Sequence, residues 1–250
     1  IRFKEVEKLK CDLCGEHKLT IFLDLGNQPL ANKYPKLEEM ENEKKYPLQT
    51  CFCNNCKNVQ LSYKVPRPIM FEDYYYLSSV NQGLVRYFEN LAGQLKNSNF
   101  VVDIGSNDGI LLKPLRDLNV NCLGVDPSLN VGKIANDKGL TTIISFFNEE
   151  CVDKIIKGYG KPDTIVCSST FTHLDNPHDF IKNIKELMME DGKFIVEVEY
   201  IGNFINNIQF ERFYLDRIFY YSLTSLKNLF KQYQMEIIDV EEIDPHGGSL

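Results

Sequence analysis

The chain has 250 residues, 43% hydrophobic and 25% charged, ordinary globular values that exclude disorder, coiled coil and collagen. Its 28 basic and 35 acidic residues give a net charge of −7, which argues against a nucleic-acid binder, since that would want a basic face. No apolar run approaches the roughly 18–20 residues of a membrane span, and no signal peptide opens the chain, so a cytoplasmic protein without a membrane partner is expected. The chain starts at Ile1 and stops shortly after a His-Gly-Gly segment, so both ends read as trimmed.

Of the eight cysteines, Cys11, Cys14, Cys51, Cys53 and Cys56 lie in the first quarter. Without a secretion signal, paired cysteines read as metal ligands in a reduced compartment rather than as disulfides. The pattern divides the chain into a zinc-binding module at 1–64, a linker or cleft segment at 65–81 and a larger domain at 82–250.

In chain order, the segment 26–29, Gly-Asn-Gln-Pro, predicts a turn. Residues 36–45 form a charged, solvated stretch, and a single short strand is expected at 59–63. Leu84, Phe88, Leu91 and Leu95 share one face of a helix over 82–96. Strands and helices then alternate. Strands are expected at 100–104, 122–126, 141–144, 163–167, 193–198 and 236–243. Helices are expected at 110–118, 130–138, 178–189 and 225–234. That alternation predicts an α/β fold, a mostly parallel sheet with helices on both faces.

Cys11-x-x-Cys14 and Cys53-x-x-Cys56 can place four thiolates tetrahedrally around zinc, and Gly15 suits the tight turn such a knuckle needs. Cys51 lies on the same side of an extended strand as Cys53 and competes as a ligand; Cys53 is preferred because it completes a CxxC. Nothing nearby supplies an open coordination position, so the zinc is expected to be structural.

The second signal is the loop Asp103-Ile-Gly105-Ser106-Asn107-Asp108-Gly109, where an apolar strand ends in an acid and leads into a helix. The dinucleotide fingerprint and the Walker A lysine are both absent. Asp126 closes the next strand, where a carboxylate can accept from both hydroxyls of a ribose. This combination resembles the S-adenosylmethionine site of class I methyltransferases, so the fold resembles their Rossmann-like sheet. The resemblance implies cofactor contacts from Asp103, Gly105, Ser106, Asn107, Asp108, Gly109, Asp126, Pro127, Phe146, Phe147 and Ser168, with a phenylalanine against the adenine.

Read together, the two parts resemble the zinc-domain C-methyltransferases of deoxysugar pathways, through segments 25–31, 53–61, 74–79, 103–109, 124–128, 145–147 and 246–250. Members of that family usually continue into a further C-terminal domain. They also carry Tyr-x-Glu-His after the fifth strand, with the His as base. This chain has Tyr214, Asp216 and Arg217 there. A guanidinium stays protonated and cannot be a general base, but it can clamp an anion. Other acceptor-side candidates are His173, His246 and Tyr76, with Glu197 and Glu199 at the end of the fifth strand.

The expectation is therefore methyl transfer to a small anionic acceptor, such as a nucleotide-linked sugar or a phosphoryl or phosphoramidate precursor of surface polysaccharide. O-methylation is favoured, with Arg217 holding the acceptor anion. Two alternatives stand beside it. One is sugar 3-C-methylation with His173 or His246 as base. The other is a non-catalytic S-adenosylmethionine-binding interaction protein. The chain is expected to act as a monomer or homodimer.

Overall fold

The computed structural model describes residues 4–6, 9–31, 33–71 and 76–250, with 4–6 and 246 described by backbone alone. In chain order the elements are β1 (Lys4–Val6), β2 (Leu19–Pro29), β3 (Lys45–Cys53), β4 (Val59–Leu61), α1 (Arg67–Phe71), α2 (Gln82–Gln94), β5 (Phe100–Ile104), α3 (Leu112–Asp117), β6 (Asn121–Asp126), α4 (Leu129–Asp137), β7 (Thr142–Ile144), α5 (Glu149–Tyr159), β8 (Thr164–Ser168), α6 (Pro177–Leu187), β9 (Lys193–Glu197), α7 (Ile201–Asn206), β10 (Phe219–Tyr220) and α8 (Leu223–Lys231).

The chain falls into two compact units. One comprises 1–70, 172–177 and 198–250; the other comprises 71–171 and 178–197. In this grouping residues 198–250 fall with the N-terminal part. The reason is strand pairing: β10 lies antiparallel beside β4, with Phe219 opposite Gln60 and Tyr220 opposite Val59.

The first unit holds a five-stranded antiparallel sheet in the order β1-β2-β3-β4-β10. Sequence reading expected one strand in the first 64 residues and missed β2 and β3. Cys51 and Cys53, expected on one side of an extended segment, are both buried and help to give β3 its inward face. The expected turn at 26–29 lies inside β2. The strand register shifts between Asp24 and Asn27, and Gly26 takes a φ of 69°, so the turn residues make a bulge. The expected strand at 236–243 forms no ladder. Among the described residues its one bridge is Ile243 to Ser249, and Ile238 is exposed. Phe219, Tyr220 and Tyr221 are fully buried, and Tyr220 packs on Phe213 with ring centroids 4.6 Å apart.

The second unit is built on a five-stranded parallel sheet in the order β7-β6-β5-β8-β9. Its strands read as near-continuous apolar runs because both faces are covered. Val101, Val102, Ile165, Val166 and Leu123 are essentially inaccessible. Helix α2 starts where the Asn81 side chain accepts from the amides of Gly83 and Leu84, and it buries Leu84, Phe88 and Leu91 as its period requires. Helix α5 was missed by sequence reading. Cys151, Val152 and Ile155 form its inward stripe, narrow among charged residues, and Asn148 caps it through the Cys151 amide.

Gly105 ends β5 with a φ of 81°, and a Cβ there would run into the Thr170 side chain. Gly105→Ala should therefore cost at least ~2 kcal/mol, from left-handed backbone strain plus overpacking. Gly158→Ala, in helix α5 with nothing within 4 Å, should gain roughly 0.5–1 kcal/mol. Urea denaturation of the two variants checks both signs.

Candidate functional site

The two CxxC knuckles of the first unit are built alike. The Gly15 amide donates to the Cys11 carbonyl at 2.9 Å, and the Lys57 amide to the Cys53 carbonyl at 3.0 Å. Gly15 and Lys57 both take left-handed φ, 77° and 63°. The Cys11 amide reaches the Glu16 carbonyl at 2.8 Å and the Cys53 amide the Asn58 carbonyl at 2.9 Å. Buried Gln60 on β4 accepts from the Asp12 amide at 3.0 Å and donates to the Lys10 carbonyl at 3.2 Å, fixing the first knuckle to the sheet.

The Sγ atoms of Cys11, Cys14, Cys53 and Cys56 all lie within 4.8 Å of one another, with Cys11–Cys56 at 3.5 Å and Cys14–Cys53 at 3.6 Å. Four thiolates around zinc at about 2.3 Å would stand about 3.8 Å apart, so the donor set and its spacing fit a closed tetrahedral site. The Cys11–Cys56 contact lowers the pKa of Cys11 and raises that of Cys56, one proton shared between two thiols, while burial raises Cys53. Cys51 is fully buried outside this cluster, and burial pushes its thiol up to about 11.

In the second unit the glycine loop leaves the carboxyl end of β5. Gly105, Asn107 and Gly109 take φ of 81°, 49° and 83°. The Gly105 amide is anchored on the Val125 carbonyl at 2.7 Å, and Asp126 at the end of β6 accepts from the amides of Asn107 at 2.8 Å and Ser128 at 2.9 Å. Asp126 is 5% exposed, and burial raises its pKa against the pull of those two amides. Asp103 is deeper, and burial with Asp126 nearby pushes it up to about 7.

The remaining loop residues have local duties. The Asn107 side chain donates to the Tyr76 carbonyl at 3.0 Å and accepts from the Ser78 amide at 3.0 Å. Asp108 takes the Ser79 hydroxyl and pairs with Lys138 at 3.3 Å. The Ser106 hydroxyl is buried with no partner among the described residues. After β7, Phe146 is 42% exposed, whereas Phe147 packs on Phe180 with centroids 5.1 Å apart. Phe146 is thus the ring open to a planar ligand. Pro127 is half-buried between Asp126 and Ser128, and the Ser168 hydroxyl donates to Glu197 at 2.6 Å. The Tyr76 ring is partly buried against the core of α2 and β5.

The other acceptor-side residues gather in the first unit. His173 Nδ1 donates to the Asp216 carbonyl at 2.7 Å, which leaves Nε2 carrying the lone pair. Arg67, buried on α1, donates to the same carbonyl at 2.9 Å and to the His173 carbonyl at 3.3 Å, and pairs with Asp175 at 3.3 Å. Burial lowers the pKa of His173, and Asp216 and Glu199 only partly offset that. Arg217 is ion-paired with fully buried Glu199 at 2.8 Å, with its guanidinium 5.2 Å from the Tyr214 ring centroid. Burial works against the Arg217 charge, and Glu199 and Asp216 more than offset it. Tyr214 is held by its backbone, its amide donating to the Tyr220 hydroxyl at 2.9 Å. The side chain of His246 lies outside the described residues. Sequence reading gave no role to Arg67, which carries no motif and is recognisable only by its burial.

Residues 75–240 match the family described as "Methyltransferase domain", and residues 11–71 the family described as "Putative zinc binding domain". The chain belongs to the methyltransferase-domain family. It is 29% identical over 248 residues to the C-methyltransferase NovU of Streptomyces niveus, covering 96% of this chain and 59% of that protein. It is 26% identical over 106 residues to a ubiquinone biosynthesis O-methyltransferase of Glaesserella parasuis, covering 38% of this chain and 43% of the relative. The chain thus spans about three-fifths of the first relative's length and less than half of the second's. The fold also matches magnesium protoporphyrin IX methyltransferase of Synechocystis with bound S-adenosylhomocysteine, at TM-score 0.50 and 16% identity, over 67% of this chain and 80% of that one.

The methyltransferase unit fits S-adenosylmethionine on its own geometry. At Gly105 a side chain would fill the close approach of the loop, and Asp126 has lone pairs to spare after its two amides. Among the described residues, no helix is long and apolar enough to cross a membrane.

Two outcomes follow for the bound groups. Cys53→Ser should lose most of the roughly one zinc per chain expected by elemental analysis and lower the thermal midpoint, whereas Cys51→Ser should keep its zinc. Asp126→Asn should weaken S-adenosylhomocysteine about tenfold or more in calorimetry. Asp126→Ala should in addition cost ~1–3 kcal/mol of stability, because the amides of Asn107 and Ser128 lose their acceptor.

Proposed function

We propose that this methyltransferase transfers a methyl group from S-adenosylmethionine to carbon on a small ketone-bearing acceptor, a nucleotide-linked ketosugar, with His173 as the proton acceptor. The cofactor supplies an already activated methyl, so the protein has to align the acceptor, exclude water and take up one proton. The carrying observation is the 2.7 Å bond from His173 Nδ1 to the Asp216 carbonyl. That bond holds the imidazole in the tautomer whose Nε2 accepts a proton, and burial keeps the ring neutral. The acceptor C–H beside the ketone breaks, its proton goes to Nε2, and the electron pair enters the enolate that is then methylated.

The Glu199 pairing of Arg217 supports carbon over an anionic oxygen. A guanidinium whose charge is already offset inside the chain at 2.8 Å gains less from a substrate anion. The likeness to a C-methyltransferase over 96% of the chain supports the same choice.

In deuterated water with S-adenosylhomocysteine bound, the wild type should exchange the acceptor's α-proton for deuterium. His173→Gln should slow that exchange by roughly 10²-fold or more and leave S-adenosylhomocysteine affinity within twofold. Because the base works neutral and burial lowers its pKa, kcat/KM should rise with pH on a limb centred below 6.5. A methyl found on oxygen, or undiminished exchange in the variant, would refute this reading.

A further inference from the structure

In the methyltransferase unit, Glu197 closes β9 beside the end of β8. It is 3% exposed. Its Oε2 accepts from the hydroxyls of Ser168 at 2.6 Å and Ser169 at 2.9 Å, and Ser169 adopts a φ of 50°, uncommon for a residue with a side chain. Oε1 is buried with no hydrogen-bond partner among the described residues. Two hydroxyls and a strained turn thus hold a carboxylate whose second oxygen is left for a donor. Leaving a buried charged oxygen unmatched is costly, and such strain gathers at ligand sites.

The strand order shows which donor fits. Along the carboxyl edge of the sheet come Asp126 on β6, the glycine loop after β5, Ser168 on β8 and Glu197 on β9. Neighbouring strands stand about 4.8 Å apart. Bonded to Ser168, the Glu197 carboxylate lies between the ends of β8 and β9, two to three strand spacings or about 10–14 Å from Asp126. Thr170, next to Ser169, lies against Gly105, so this turn abuts the cofactor loop. In S-adenosylmethionine six single bonds separate ribose C4′ from the α-ammonium, a reach of that order. The other acids of this edge are engaged. Asp103 is buried on β5 beside Asp126, and both burial and that neighbour disfavour its charge. Asp108 is taken by Ser79 and Lys138.

We propose that Glu197, held in place by Ser168 and Ser169, binds the α-ammonium of the cofactor's methionine arm. On this assignment Ser168 serves the cofactor through Glu197. The inference rests on the S-adenosylmethionine part of the proposed function and is independent of which acceptor atom is methylated.

Calorimetry with two probes tests it: S-adenosylhomocysteine, which carries the arm, and 5′-methylthioadenosine, which keeps the adenosine and sulfur and lacks the ammonium. Glu197→Gln should weaken S-adenosylhomocysteine roughly ten- to hundredfold, the worth of one charge-assisted hydrogen bond, and leave 5′-methylthioadenosine within twofold. The second probe also reports that the variant is folded. Ser168→Ala should give a smaller loss with the same selectivity. Equal losses for both probes would make Glu197 structural, and no loss for either would place the ammonium elsewhere; both overturn the proposal. If wild type binds neither probe, the cofactor reading falls and the proposal with it.

Discussion

The carboxylate of Asp126 ties the methyltransferase unit together. Its two oxygens take the amides of Asn107 and Ser128, so one buried side chain sets both the glycine loop after β5 and the turn that starts α4. The loop in turn fixes what precedes α2, because the Asn107 side chain holds the backbone at Tyr76 and Ser78. Burying this acid costs solvation, and the two amides return part of it. Asp103, similarly buried and with Asp126 nearby, is pushed up to about 7. Both acids are raised by burial, and Asp126 is the one with two backbone amides working against the shift.

The first unit is held differently. Its apolar core centres on Phe213, Phe219, Tyr220 and Tyr221, while its metal end is built from hydrogen bonds and four sulfurs. Each knuckle turns on a left-handed residue, Gly15 in one and Lys57 in the other. Lysine there carries the strain that glycine avoids. Metal binding, which rewards the geometry of all four thiolates at once, is the term that can offset such strain in so small a segment.

Legibility in the sequence followed burial. The parallel sheet was readable strand by strand, because strands covered on both faces are continuous apolar runs. Glycine and acid positions of the cofactor loop were readable because few chemistries need that combination. The antiparallel sheet was not, since β2 is interrupted by a bulge at Gly26 and β3 takes its inward face partly from Cys51 and Cys53. Strand β10, two residues long, has no sequence period at all, yet it pairs with β4 and groups with the N-terminal sheet. Arg67 escaped notice for a related reason: its role comes from carbonyls distant in sequence, those of His173 and Asp216.

The charge of Arg217 is explained by what surrounds it. A guanidinium that is 11% exposed would be untenable alone, but Glu199, with no exposed side-chain surface, lies 2.8 Å away and the Tyr214 ring lies against it. The pair is a mutual requirement: removing either charge strands the other in a poorly solvated place. An arginine committed in this way is better suited to shaping a site than to gripping a mobile anion, since every contact with a substrate would compete with Glu199. His173 in the same cluster is held neutral by burial, and its tautomer is set by a backbone carbonyl that Arg67 also holds. The two arginines thus serve as fixed framework, one balanced by Glu199 and the other spent on the carbonyls around the imidazole.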